Sequence, residues 1–181
     1  MGAPLKDPLV RRIAIIGGGW YGCHIGSSLK AIGFDVTLFE QHDQLLHEAS
    51  GNNQFRLHLG FHYPRHYTTR IQSRDGFNRF IERYPQLTQE VPRNIYAVPS
   101  KESLIDFLTY RLIMMSSGIE FKEVHYIYPE LRNIDGALVC KERVILTERA
   151  RRYFKERLQA ALRLGQKQLP TPYGFCGREG F

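Results

Sequence analysis

Apolar residues fall in short bursts of different spacing along the first forty positions. Arg12–Ile16 is a β-branched run that stops at Gly17-Gly18-Gly19, which predicts a buried parallel strand. Trp20–Ile32 places Ile25, Leu29 and Ile32 at helical spacing, with Gly33 as its C-cap. Asp35–Phe39 predicts a second strand, ending at Glu40. Two strands joined by one helix through short connections make a βαβ unit, which closes with a right-handed crossover.

Beyond Glu40 the pattern loosens. Residues 41–64 read as a polar loop rich in His, Asn and Gly, closed by Pro64. His66–Tyr84 is helical, with Ile71, Phe77, Phe80 and Ile81 as the buried side, and Pro85 stops it. Asn94–Val98 predicts a strand and Ser103–Ser117 a helix ended by Gly118. Ile119–Ile127, Gly136–Cys140 and Arg143–Thr147 predict three more strands. Glu148–Leu164 is an amphipathic helix with Phe154, Leu158, Ala161 and Leu162 on one side. Past Gly165 no periodicity survives, so 165–181 reads as an irregular tail without a returning strand.

Composition narrows the class. The 181 residues are 43% hydrophobic and 24% charged, a globular balance that excludes wholesale disorder. No run approaches the ~18 apolar residues of a membrane span, so no membrane role is expected. Met1–Pro8 lacks the apolar core of a secretory signal, and Lys6 breaks the myristoylation pattern that Gly2 would open. Cys23, Cys140 and Cys176 are odd in number and far apart, which fits a reducing, cytoplasmic setting. The net charge of +7 sits almost wholly on Lys141–Lys167, where nine Lys and Arg meet three Asp and Glu. A solvated helix face accounts for that excess, and no nucleic-acid motif accompanies it.

The sharpest chemistry is Gly17-Gly18-Gly19-Trp20-Tyr21-Gly22, a GxGxxG between a strand and a helix. Gly17 allows the tight turn, Gly19 lets the backbone approach a pyrophosphate, and Gly22 lets the helix pack on the strand. The helix N-terminus offers N–H groups and a positive dipole end. The side chains of Trp20, Tyr21, Cys23 and His24 read as packing or surface groups, although Trp20 and Tyr21 belong to the cofactor-binding turn by position. Glu40, 18 residues after Gly22, suits a ribose 2′-hydroxyl and repels a 2′-phosphate, so NADP is disfavoured. Gln41 is grouped with it. The fingerprint alone leaves FAD and NAD open.

The following segment runs from Glu48 through Ser50, Asn52, Asn53, His58, Gly60, His62 and Tyr63 to Pro64. Together with the fingerprint it resembles the FAD-dependent oxidoreductases of the D-amino acid oxidase superfamily, and its His-x-Gly-x-x-Tyr-x-Pro-like element resembles the 2-hydroxyglutarate dehydrogenase branch. The resemblance covers residues 12 to about 164. It implies FAD as cofactor, with Gly17, Gly19 and Gly22 at the pyrophosphate and Glu40 at the adenosine ribose. It puts Ser50, Asn52 and Asn53 along the ribityl chain or pyrophosphate. It puts His58 and His62 near the isoalloxazine ring, with Tyr63 as a further catalytic candidate. The implied reaction removes hydride from a carbon bearing an amine or hydroxyl, on a small-molecule substrate. His58, His62 and His66 repeat every four residues, but Gly60 and Pro64 interrupt any helix there and no carboxylate or Cys lies nearby in sequence, so no metal site is expected.

The expected fold class is α/β: a Rossmann-like FAD/NAD(P)-binding βαβ domain, residues 10–90 and 148–164, with a partial inserted substrate domain at 91–147. Family members are longer, so the resemblance implies that this chain carries only part of the fold, with sheet edges that a protein partner or oligomer would cover. Two alternatives stand beside the flavoenzyme: a non-catalytic dinucleotide-binding remnant or subunit needing a partner, and a small NAD-binding module.

Overall fold

The computed structural model describes residues 11–124, 131–167, 170–171 and 174–175. In chain order the elements are β1 (Arg12–Ile16), α1 (Trp20–Ala31), β2 (Asp35–Phe39), β3 (Arg56–Leu57), α2 (Tyr67–Arg83), β4 (Thr88–Glu90), β5 (Asn94–Pro99), α3 (Phe107–Ser116), β6 (Lys122–Glu123), β7 (Ile134–Cys140), β8 (Arg143–Ile145), α4 (Thr147–Leu158), β9 (Leu162–Arg163), β10 (Pro170–Thr171) and β11 (Gly174–Phe175). The chain divides into two compact units. One comprises Met1–Phe55 with Thr147–Phe181, and the other is the continuous stretch Arg56–Leu146. Residues 56–90, grouped by sequence with the nucleotide-binding domain, fall in the second unit.

In the first unit β1, β2 and β9 form a parallel sheet in that order. Arg12 to Ile16 pair in register with Asp35 to Phe39, and Leu38 and Phe39 with Leu162 and Arg163. The sequence reading carried the last helix to Leu164 without a returning strand. The structure ends α4 at Leu158, passes through a 3-10 turn at Gln159–Ala161 and brings Leu162–Arg163 back onto the sheet. Two residues are too short to show a strand period, which hides β9 in the sequence. In the tail, Pro170–Thr171 pairs with Gly174–Phe175.

Helix α1 turns a face inward that its large aliphatic residues do not mark. Cys23 and Gly26 are buried, whereas Ile25 and Ile32 are exposed. The cause is close packing. A methyl at Gly26 would touch Ile15, Leu38 and Leu158, so the helix lies on the strands through its small residues. Strand β1 was expected to be buried throughout. It ends the sheet order among the described residues, and Arg12, Ala14 and Ile16 alternate outward. Helix α4 packs beside α1, with Phe154 edge-on to Trp20 and the Lys30 ammonium donating to the Arg157 and Leu158 carbonyls.

The second unit holds two antiparallel sheets of three strands, ordered β3-β8-β4 and β5-β7-β6. Its core gathers Phe61, Val98, Tyr110, Met114, Ile119, Leu138 and Cys140. Of the strand expected at 119–127 only Lys122–Glu123 pairs, and residues 125–130 lie outside the described set. Both helices start on a side-chain cap, as helix N-termini require. Asp106 accepts from the Thr109 amide before α3, and His66 Nδ1 accepts from the Thr69 amide before α2. Phe77 is buried on α2 as predicted, while Ile71, Phe80 and Ile81 are half-buried.

Candidate functional site

The glycine turn is a backbone surface held by its neighbours. Gly17 N–H donates to the Phe39 carbonyl at 2.8 Å, which ties the turn to the end of β2. Gly22 admits no side chain, because a Cβ there would lie 1.9 Å from the Gly17 carbonyl oxygen. Helix α1 starts at Gly19 without a side chain of its own as cap and with no acid in its first turn. Ser50 takes that place from a distance, its Oγ accepting from the Trp20 amide at 3.1 Å. The first turn of α1 itself carries no acidic side chain against its positive dipole end.

Glu40 is buried beneath this turn. One carboxylate oxygen accepts from Gly18 N–H at 2.6 Å and the other from His42 N–H at 2.9 Å. It thus braces the glycine turn against the loop that follows, and each oxygen keeps acceptor capacity for a further donor such as a hydroxyl. Leu46 N–H donates to the Gly18 carbonyl, and the Arg151 guanidinium donates to the carbonyls of Leu45 and Leu46. Burial pushes the Cys23 thiol up to about 12, with the Glu40 charge adding to it, so Cys23 packs rather than reacts.

The other residues of the predicted cofactor set lie outward. Tyr21 is 85% exposed. Asn52 and Asn53 donate to the backbone carbonyls of His47, Glu48 and Ala49, which closes their own turn. Gln41 bonds His42. His42, His47 and Glu48 come together on this exposed loop, with His42 paired to Glu48 at 2.5 Å and stacked on His47.

The second unit gathers the predicted catalytic residues. His58 and His62 meet edge to face at 4.6 Å, and His62 meets Tyr96 at 5.1 Å and Tyr63 at 6.4 Å. Gly60 sits between the histidines at φ +109°, and a Cβ there would strike the Arg70 carbonyl at 2.6 Å. The buried Arg70 guanidinium bonds the Tyr63 and Pro64 carbonyls and the Ser117 hydroxyl, which fixes the turn. Burial lowers the His62 pKa, and the nearby His58 and Arg56 charges lower it further against the opposing pull of Glu142. His66, third in the histidine series, faces Thr69 as a helix cap instead.

Sequence reasoning missed the residue at the centre of this cluster. Glu142 is fully buried. Its Oε1 accepts from Leu59 N–H at 2.8 Å. Its Oε2 accepts from Arg56 at 2.9 Å, Tyr96 OH at 2.7 Å and Asn94 at 3.3 Å. Burial raises this carboxyl, but interactions with His58, the Leu59 amide and Tyr96 outweigh it and hold the group down at about 2. Tyr96 is pushed well above the ordinary tyrosine range by burial and by its bond to Glu142, so it stays a donor. The sequence around Glu142 reads Lys-Glu-Arg between two strands, the pattern of a solvated hairpin tip. Its one signal is position, since the tip joins two strands that enter different sheets.

Residues 12–169 match the DAO family, described as FAD dependent oxidoreductase. The chain is 59% identical over 155 residues to the FAD-dependent monooxygenase FPY4 of Fusarium mangiferae, covering 86% of this chain and 42% of that protein. It is 35% identical over 161 residues to the FAD-dependent monooxygenase kojA of Aspergillus flavus, covering 83% of this chain and 36% of that one. It therefore spans well under half the length of these curated relatives. Among solved structures it is similar to the dithionite-reduced L-alpha-glycerophosphate oxidase of Mycoplasma pneumoniae with FAD bound. That match has a TM-score of 0.70 at 18% identity and covers 89% of this chain and 46% of that one, a likeness of fold.

Proposed function

The chain belongs to the DAO family of FAD-dependent oxidoreductases, and on that premise we propose that it binds FAD and serves the oxidation of a small molecule bearing a hydroxyl or amine. One observation carries the reading: a glycine turn free of side chains, opening a helix with no acid in its first turn, is braced by the buried carboxylate of Glu40. That donor set fits a dinucleotide. Gly17, Gly19 and Gly22 would leave room for the pyrophosphate at the helix start, and Glu40 would accept from the adenosine ribose. Ser50, by capping Trp20, keeps the helix start in place, and Asn52 and Asn53 shape the loop that continues from it.

FAD when bound supplies the two-electron acceptor. The chain's own part is to bind, orient and handle a proton. His58, His62 and Tyr63 are the groups proposed to do so, with Gly60 and Arg70 fixing the turn that carries them. His62, its pKa lowered by burial, is available as a neutral imidazole at neutral pH. The buried free thiols Cys23 and Cys140 support a reducing, cytoplasmic setting. No helix among the described residues is long and apolar enough to cross a membrane.

The 59% identity to a protein named a monooxygenase favours a second reading, in which turnover consumes dioxygen, places one oxygen atom in the product and reduces the other to water with two electrons from a co-reductant. Oxygen uptake with labelled dioxygen separates it from simple oxidation. The deciding experiment for the cofactor is the visible spectrum of the purified protein, with the chromophore identified after denaturation. Bound FAD is the expected result. A colourless protein that FAD does not stabilise against unfolding would overturn the reading in favour of a remnant or a subunit needing a partner.

A further inference from the structure

Glu142 lies outside every residue set assigned above from sequence, yet it is the most completely enclosed charged group described. Four donors reach it from β3, from the chain just after β3 and from β5: Arg56, Leu59 N–H, Asn94 and Tyr96. Asn94 also reaches Cys140 Sγ on β7. The charge is balanced by Arg56, the cationic partner paired with Glu142 through a hydrogen bond. A carboxylate this well satisfied would need nothing more if its role were only to hold the sheets.

One group beside this carboxylate is not satisfied. His58 Nδ1 is sealed from solvent and has no hydrogen-bond partner among the described residues, and it faces Glu142 Oε2 at 3.8 Å. The His58 side chain as a whole keeps 29% of its exposure, so its solvent-facing edge is the one away from Nδ1. A neutral imidazole carries one N–H. If Nδ1 were the bare nitrogen, its lone pair would point at the lone pairs of an ionised carboxylate inside the protein, an uncompensated repulsion. If Nδ1 carries the proton, the N–H dipole points at the carboxylate and a small movement completes a charge-assisted hydrogen bond.

We propose that Glu142 is a positioning residue that fixes His58 in the Nδ1–H tautomer, leaving Nε2 with its lone pair as the proton acceptor of the site. When Nε2 takes the proton of a substrate hydroxyl or amine, the bonding pair stays on the oxygen or nitrogen. The imidazolium so formed faces the Glu142 carboxylate. Arg56 donates to the same Oε2 that His58 faces and keeps the carboxylate from taking the His58 proton outright, by holding it ionised. The proposal rests on the reading that His58 works on substrate, but its test needs no cofactor.

The test is nitrogen NMR of the histidine rings in the full chain, with His58 assigned by its loss in His58→Gln. At a pH where the His58 ring carries a single proton, the wild type is expected to show that proton on Nδ1, against the Nε2–H form that free imidazoles favour. Glu142→Gln is expected to return His58 to Nε2–H. Tyr96→Phe removes a donor from the cluster but leaves the charge, and is expected to keep the Nδ1–H form. A wild-type His58 protonated on Nε2 would overturn the proposal even if Glu142→Gln failed to fold, and so would an unchanged tautomer in a folded Glu142→Gln. Loss of FAD binding alongside an intact Nδ1–H signal would instead count against the functional reading and leave the tautomer assignment standing.

Discussion

Both units place a buried carboxylate at the heart of their candidate chemistry, and they satisfy it with different materials. Glu40 in the first unit takes two backbone amides, from Gly18 and His42. Glu142 in the second takes three side chains and one amide, with partners 46 to 86 residues away in sequence. The first site works through backbone N–H groups that glycines leave bare, braced by the side chains of Glu40 and Ser50. The second works through side chains. The backbone site draws its bracing side chains from 22 and 30 residues away, whereas the site made of side chains exists only after two sheets have formed. The two should therefore fail under opposite kinds of substitution.

The largest expected effect is removal of the side-chain hub. Glu142→Ala removes the acceptor shared by Arg56, Tyr96, Asn94 and an amide, and should lower the unfolding free energy by about 3 kcal/mol, as for a broken buried pair. Urea unfolding of the purified chain measures it. The same group sets an acid limit. Its pKa is depressed from the ordinary 4.5 to about 2 in the fold, so its stabilisation is present above about 4.5 and is lost as pH falls through about 2. Stability followed across that window should lose part of its slope in Glu142→Gln. An unchanged slope would show that Glu142 is no different from an exposed carboxyl.

A methyl added to the backbone site comes next. Gly22→Ala puts a carbon against the Gly17 carbonyl and should cost about 2 kcal/mol by forcing the helix off the strand. It should also weaken FAD binding by about tenfold or more, since about 1.4 kcal/mol suffices for that. Fluorescence titration with FAD reads this directly, and a fully binding Gly22→Ala would break the contrast between the two sites. The smallest effect belongs to Ser50→Ala. It removes a side chain that caps α1, and should cost about 1 kcal/mol in thermal unfolding while leaving the glycine turn able to bind.

This difference of materials also explains what could be read in the sequence. The βαβ unit was legible because its signals are local: the β1 run, the glycine spacing, the β2 run and Glu40 all fall within thirty positions, and each carries its own geometric reason. The helix face was misread because glycines pack without contributing to a hydrophobic pattern, so Ile25 and Ile32 outshone Cys23 and Gly26. Strand β9 was lost because two paired residues leave no period. His58 and His62 stood out by their motif. Glu142 and Arg56 did not, because a charged residue in a sequence carries no mark of being enclosed until residues far along the chain close over it.

The interruption of the first unit has a consequence for how the molecule is made. Its strand β9 joins β2 across the whole of the inserted second unit. A ribosome delivers β1, α1 and β2 early and must then synthesise Arg56–Leu146 before α4 and β9 exist. The continuous second unit can close all its own contacts during that interval, while the glycine turn waits on a half-built sheet with an open strand edge. The nascent first unit is thus the aggregation-prone stage of biosynthesis, and a dinucleotide that engages the turn would act as its folding template.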